Sequence, residues 1–540
     1  MTTISIQSSN KQVTCRSGQS LMTALIHGGI FVDNPCNGKG TCGKCKVQIC
    51  TGAVQEPCET EKRFLSSEEL ESGIRLSCLV YPENDLVIEV LQEEAVHKIL
   101  TSGMMPNFKY KPAVSSLFSG NDDEFYGVAV DIGTTTVVAA LVNLKTGEEL
   151  ETASMINPQK QFGLDVLTRI TYAMENPDTA CIELQHAIVE GLNQLVDQLV
   201  NQSSISKSQL HEIVISGNTT MLHMLLGVDS TVIGKSPYKP NFLESQTVNA
   251  CEIGLTVEEN TMIYCLPSVS AYIGSDIVAG VYACGLHRKN ATTLFIDIGT
   301  NGEIALVHNG ELMSCSCAAG PALEGMNISA GMRAQAGAIE EITIGESGIK
   351  THVIGDVVGK GLCGSGILAT LRELLKTGIV TKKGAMIKLE HMDEDDYRRQ
   401  YIQVNGRKRA FELSGHPNSI MVTQSDVRQV QLAKGALLSG FYALLNEAGI
   451  TMEHLEEVIV AGQFGAHLSA DSLVGTGILP EAVRDKLTYI GNASKTGAYM
   501  ALMSTDVRQD IEVLAKDMAY IELGSVEGYE RLFSKCLLFD

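Results

Sequence analysis

The 540-residue chain contains no run of 18 or more apolar residues, the length a helix needs to cross a bilayer. Its opening stretch, MTTISIQSSNKQVTCRSG, alternates Ile4 and Ile6 where a secretory leader would place a charged segment before an apolar one. Basic residues are also scarce: 41 Lys and Arg against 63 Asp and Glu leave a formal net charge of -22. Phosphate-backbone binding depends on Lys and Arg displacing counterions, so this balance argues against a nucleic-acid partner. Only 13 prolines stand beside 51 glycines, which points to folded domains with many tight turns. The P-loop signature G-x4-G-K-[ST] is missing as well; in GVDSTVIGKS, residues 227–236, six residues separate the glycines. These absences lead to the expectation of a cytoplasmic protein that engages neither membrane nor nucleic acid.

What is present is abundant cysteine. Fifteen thiols without a leader imply a reducing compartment, where cysteines are metal ligands or buried small hydrophobes. Cys36, Cys42 and Cys45 crowd into PCNGKGTCGKCKV, and Cys50, Cys58 and Cys78 are the candidates for a fourth ligand. Structural zinc favours two short-spaced pairs, and no second pair follows; three clustered cysteines plus a remote one is the pattern of a plant-type [2Fe-2S] site. Cys78, in RLSCLV, is the expected closing ligand, with a zinc knuckle as the rival reading. Gly38, Gly40 and Gly43 allow the loop to wrap closely, its N–H groups turned toward sulfur. Around the loop, ISI and VTC alternate as a strand pair, SLMTALIHGGI reads as a helix stopped by glycine, and DLVIEVL reads as a closing strand. This order resembles plant-type or adrenodoxin-like ferredoxins across residues 1–92. Residues 93–125 lose periodicity and read as a flexible linker.

The remainder carries a short internal repeat. GVAVDIGTTTVVAALV at 127–142 and TLFIDIGTNGEIALV at 293–307 each join two β-runs through Asp-Ile-Gly-Thr. In such hairpins Asp131 and Asp297 can hold water on a magnesium ion. Gly133, Thr134, Thr135 and Thr136 in one, and Gly299, Thr300, Asn301 and Gly302 in the other, present N–H and hydroxyl groups to phosphate. A third element, EEVIVAGQFGAHL, runs an apolar strand into Gly462 and Gly465, as a backbone lying flat on a nucleoside requires. These elements resemble the phosphate and adenosine motifs of the ASKHA superfamily (acetate and sugar kinases, actin and the heat-shock ATPases), with SDIVAGVYACGL and GNASKTGAYMAL as its connecting helices. The expected fold is thus multidomain. A β-grasp, ferredoxin-like α+β domain over 1–92 precedes a two-lobed α/β ASKHA ATPase of the RNase H-like type. Its subdomains are 126–290, within which 126–206 can be described as a separate middle domain, and 291–540.

A ferredoxin joined to an ASKHA ATPase resembles the ATP-dependent reductive activators of corrinoid proteins, and VISGNTTMLHMLLG, AAGPALEGMNISAGMRAQAGAIE, GLCGSGI and TQSDVRQVQLAKGAL extend the likeness. The resemblance implies one-electron reduction of cobalt(II) to cobalt(I) in a corrinoid protein of an anaerobic methyltransferase system. Plant-type clusters sit near about -400 mV, and each adverse ~59 mV costs about 1.4 kcal/mol, so ATP would drive the transfer. It further implies a [2Fe-2S] cluster on Cys36, Cys42, Cys45 and Cys78, Mg2+ and ATP on the two hairpins, a low-potential electron donor and a homodimer. Glu303 and Glu324 are candidates to activate water. Rival readings are an activator of another low-potential acceptor such as a dehydratase, a small-molecule kinase, and a nucleotide-gated binding protein. His223 and His467 read as core histidines, Cys315 and Cys317 as buried thiols, and HMDEDD at 391–396 as a solvated turn.

Overall fold

The computed structural model describes residues 2–7, 11–28, 30, 32, 38, 40, 43, 45–91, 106–118, 124–346, 348–355, 357–406, 408–413, 419–462 and 468–539. The chain forms two compact units, Met1–Val96 with Gln159–Leu164, and His97–Pro158 with Asp165–Asp540.

In the first unit β1 (Thr2–Ile6) and β2 (Gln12–Cys15) form the expected antiparallel pair. The remaining strands are β3 (Lys46–Thr51), β4 (Ile74–Leu76) and β5 (Leu86–Val90). They complete a sheet of order β2-β1-β5-β3-β4, with β5 parallel to β1. Alternation along the strands buries Ile4, Ile6, Val13, Cys15, Val47 and Ile88 against Leu21, Ala24 and Leu25 of the helix Leu21–His27. That helix begins where Ser20 Oγ accepts from Thr23 N and stops at Gly28, as its sequence indicates. From β4 Arg75 clamps Glu61 through Nε at 2.9 Å and Nη2 at 2.8 Å. Burial favours the neutral acid, but Arg75 and the N–H groups of Leu76 and Cys58 hold Glu61 below its ordinary value.

The second unit contains two six-stranded sheets built on one plan. The first comprises β6 (Tyr126–Ile132), β7 (Thr136–Asn143), β8 (Glu149–Ile156), β9 (Leu210–Gly217), β10 (Gln246–Asn249) and β11 (Met262–Cys265), in the order β10-β11-β9-β6-β7-β8. The second begins with β12 (Thr293–Ile298), β13 (Gly302–His308) and β14 (Glu311–Cys317). Two small three-stranded sheets interrupt it: β15 (Ala338–Gly345), β16 (Gly348–Val353) and β17 (Gly361–Leu362), then β18 (Ile402–Asn405), β19 (Lys408–Leu413) and β20 (Ile420–Thr423). Strands β21 (Glu457–Ala461), β22 (Leu487–Gly491) and β23 (Ala519–Tyr520) then complete the order β22-β21-β12-β13-β14-β23. In both large sheets an antiparallel triplet, β6-β7-β8 or β12-β13-β14, is extended from its first strand by two parallel strands. The buried runs of β6, β9, β12 and β21 are apolar on both faces, as strands covered on two sides require.

Between the sheets the helices Ser275–Ala283 and Ala493–Met503 cross in close contact. A Cβ on Gly497 would lie 2.4 Å from the carbonyl oxygen of Ala279, so glycine sets how near the two backbones come. These are the two segments expected as connecting helices.

Within the stretch 93–125, expected as a flexible linker, residues 106–118 are instead anchored to the second unit. Lys111 N donates to Met503 O at 2.7 Å, and Thr505 N donates to Lys111 O at 2.9 Å. Lys111 also pairs with Asp506, and Phe108 packs edge-on against Tyr499. Among the described residues no helix is long and apolar enough to cross a membrane.

Candidate functional site

Each Asp-Ile-Gly-Thr turn sits where a buried strand ends. Gly133 N closes the first on Thr136 O at 2.9 Å, and Gly299 N closes the second on Asn301 O at 3.0 Å. The two turns face one another across a single cleft. Asp131, Gly133, Thr134, Thr135 and Thr136 line it from one side; Asp297, Gly299, Thr300, Asn301 and Glu303 line it from the other, with Glu324 and Gly462. Gly302 is not among the lining residues, and a Cβ there would lie 2.1 Å from Leu437, so packing also requires glycine at this position.

The cleft is strongly acidic. Asp131 Oδ1 accepts from Ser494 Oγ at 2.7 Å and Oδ2 accepts from Asn492 Nδ2 at 3.0 Å. Burial raises Asp131 above its ordinary value, with these bonds and the nearby Lys495 charge opposing. Asp297 is pushed up to about 7 by burial and by Asp131. Asp276, at the start of the helix Ser275–Ala283, is pushed up to about 8 by burial, Asp131 and Asp297. Glu303, opposite Asp297 on the hairpin, rises well above the carboxylate range through burial, Asp276 and Asp297. Burial also raises Glu324, opposed by hydroxyl donors from both turns: Thr135 Oγ1 donates to Oε2 at 3.1 Å and Thr300 Oγ1 donates to Oε1.

So many mutually raised carboxylates call for a bound cation. Among the described residues no three such groups stand close enough to ligate one ion directly. The site therefore fits a magnesium ion gripped through its waters and the phosphates it carries, which is how Mg2+ is usually held. Gly462, at φ +90°, supplies a second fit: a Cβ would lie 2.4 Å from Asp297 Oδ1, so only glycine lets the backbone beyond β21 run beside the acid.

Five participants were not singled out from sequence. Asp276 looks there like an ordinary acid in a first helical turn. Asn492 and Ser494 open the helix Ala493–Met503, and Asn218 Nδ2 donates to Thr134 Oγ1 at 3.0 Å. The buried Arg169 guanidinium donates to Thr134 O beneath the first turn.

In the first unit, Cys45 and Cys78 are 1% and 3% exposed, whereas Cys50 and Cys58 face solvent. The Cys78 thiol beside it draws Cys45 down to about 7 against the effect of burial, toward the thiolate that ligates iron. Gly38, Gly40 and Gly43 all have positive φ, the loop conformation expected around a wrapped cluster. These features fit a [2Fe-2S] cluster. Cys36, Cys42, Gly465 and His467 lie outside the described residues. His223 is a core histidine, its Nδ1 2.8 Å from Thr219 O, and Cys315 and Cys317 are buried.

Three family descriptions match the chain in order: "2Fe-2S iron-sulfur cluster binding domain" over residues 4–83, "RACo middle region" over 126–289, and "C-terminal domain of RACo the ASKHA domain" over 291–540. The corrinoid activation enzyme RamQ of Eubacterium limosum is 33% identical, the match covering 92% of each chain. The reductase of the Co(II) methylated amine-specific corrinoid protein of Methanosarcina barkeri is 26% identical over 72% of each. A solved reductive activator for corrinoid,iron-sulfur protein superposes with a TM-score of 0.69 at 30% identity, covering 100% of this chain and 98% of that one. With its ferredoxin domain, its paired ASKHA sheets and these relatives over nearly its whole length, the chain belongs to the family of ATP-dependent reductive activators of corrinoid proteins.

Proposed function

We propose that the chain uses ATP to drive one electron onto the cobalt of a corrinoid protein, taking cobalt(II) to cobalt(I) in a methyl-transfer system. The observation that carries this reading is the convergence of both Asp-Ile-Gly-Thr turns on one acidic cleft, in a chain that also carries a ferredoxin unit. Cys36, Cys42, Cys45 and Cys78 hold the [2Fe-2S] cluster, which supplies a single low-potential electron when bound. Asp131 and Asp297 orient water on Mg2+. Gly133, Thr134, Thr135, Thr136, Gly299, Thr300 and Asn301 present donors to the phosphates, and Gly462 and Gly465 flank the nucleoside.

Asp276 takes the water-activating role for which Glu303 and Glu324 were the sequence candidates. A base works best with a pKa near the working pH, and Asp276 lies near 8 while facing both hairpin acids. Its carboxylate accepts the proton as water oxygen bonds to the terminal phosphorus and the bridging P–O bond breaks. Glu303 sits opposite Asp297, whose charge together with burial and Asp276 keeps Glu303 protonated and poorly suited to accept the proton. A low-potential electron donor refills the chain, which works in the cytoplasm as a homodimer.

The test is an anaerobic absorbance time course of a cobalt(II) corrinoid protein mixed with the chemically reduced chain, with and without Mg-ATP. Appearance of the cobalt(I) band only with ATP is the expected result. Cobalt that stays oxidised while ATP is consumed would move the search to another electron acceptor.

A further inference from the structure

Among the described residues, Glu324 is the one carboxylate in the cleft that receives a hydroxyl from each phosphate turn. It ends a short 3-10 turn, Pro321–Glu324, set between Gly320 and Gly325, and is 4% exposed. Thr135 Oγ1, from the turn of the first sheet, and Thr300 Oγ1, from the turn of the second, both donate to it. A threonine hydroxyl has a single proton. Thr135 and Thr300 therefore donate to Glu324 or to a phosphate oxygen, and cannot do both. Thr134 differs, because its hydroxyl accepts from Asn218 Nδ2 and keeps its own proton for another acceptor.

We infer that Glu324 is a positioning residue that competes with nucleotide phosphates for the protons of Thr135 and Thr300. Phosphate binding then exchanges a carboxylate link between the two turns for a phosphate link. The exchange has two effects. Glu324 weakens nucleotide binding, since its acceptors and its charge occupy the place a phosphate needs. It also makes the contact between the two turns depend on whether phosphate is bound, which is the kind of bistable contact that nucleotide-driven devices use. This inference rests on the reading of the two turns as phosphate holders.

The test compares the full-length chain with its Glu324→Gln variant. The amide is neutral and has one oxygen to accept hydroxyls. Calorimetric titration with Mg-ADP should give a Kd about tenfold tighter, equivalent to ~1.4 kcal/mol. In ATP turnover, KM should fall while kcat stays within about threefold, a split that a proton-accepting role would not produce. An unchanged or weaker Kd would overturn the inference. So would an unchanged Kd with turnover reduced about a hundredfold, which would make Glu324 the water-activating base. Should the variant fail to fold, hydrogen exchange on the unaltered chain decides the matter. Mg-ADP should protect the amides around Thr135 and Thr300 while those of residues 320–326 exchange faster, and joint protection of all three would refute it. A wild-type chain that binds no Mg-ADP removes the nucleotide reading together with this one, whereas wild-type binding with an indifferent Gln variant removes this one alone.

Discussion

The two Asp-Ile-Gly-Thr turns share a sequence and a strand geometry yet hold their acids differently. Both oxygens of Asp131 are taken, by Asn492 and Ser494 at the start of the helix Ala493–Met503. That end is itself fixed: Ser494 and Ser216 share a hydrogen bond at 2.7 Å, and the buried Lys495 meets both oxygens of Glu149 at 2.9 and 2.7 Å. Asp297 has no side-chain hydrogen-bond partner among the described residues and is raised to about 7 by burial and by Asp131. A duplicated motif has thus become one anchored acid and one acid balanced between charge states. The anchor ties the first turn to a crossing helix, while the second acid gains most from a cation.

The largest effect should come from breaking that asymmetry at the acids. Asp297→Asn and Asp131→Asn should each lower Mg-ATP turnover by about a hundredfold or more, as expected when a group that places charge in the transition state is lost. Their effects on stability should differ in direction. Asp297→Asn removes a carboxylate that burial disfavours and should raise the melting temperature of the metal-free chain at pH 8. Asp131→Asn sets an amide N–H against Asn492 and should lower it. Calorimetric scans of both variants distinguish the two.

Next in size is Glu149→Ala, which leaves the buried Lys495 ammonium without its anion and should destabilise the second unit by roughly 3 kcal/mol in denaturant titration. A pH series sharpens the comparison further. Asp297 and Asp276 have folded values above their unfolded ones, so folding favours their protonated forms. Metal-free stability is then undiminished below the unfolded carboxylate range and falls as pH rises through about 7 and about 8. The melting temperature in chelator should drop between pH 6 and 8.5, and Mg-ADP should restore more of it at the alkaline end. The smallest effect is that of Ser494→Ala, which removes one of two bonds to Asp131 and should cost about 1 kcal/mol, read as a several-fold weaker Mg-ADP affinity.

Much of this was legible locally. Alternation and turn residues placed β1, β2 and β5, and the repeated turn placed both hairpins, because those signals arise within a few residues. The acidic cluster was not legible, since Asp131, Asp276, Asp297 and Glu303 meet only after two sheets and two crossing helices assemble. Asp276 resembled any acid opening a helix, and Asn492 and Ser494 resembled ordinary helix-start residues. The packing of Gly302 on Leu437 was not legible either, because a glycine after a phosphate turn looks the same in sequence whatever side chain crowds it. Residues 106–118 were expected to be free because main-chain bonds to Met503 and Thr505 and aromatic contacts leave no periodic pattern.

The central claim is that two unlike copies of one turn grip a single nucleotide, and calorimetric titration of the full-length chain with Mg-ADP tests it most directly. The account predicts one site per chain, weakened at least tenfold by either Asp131→Asn or Asp297→Asn. Two independent sites, or normal binding in either variant, would contradict it.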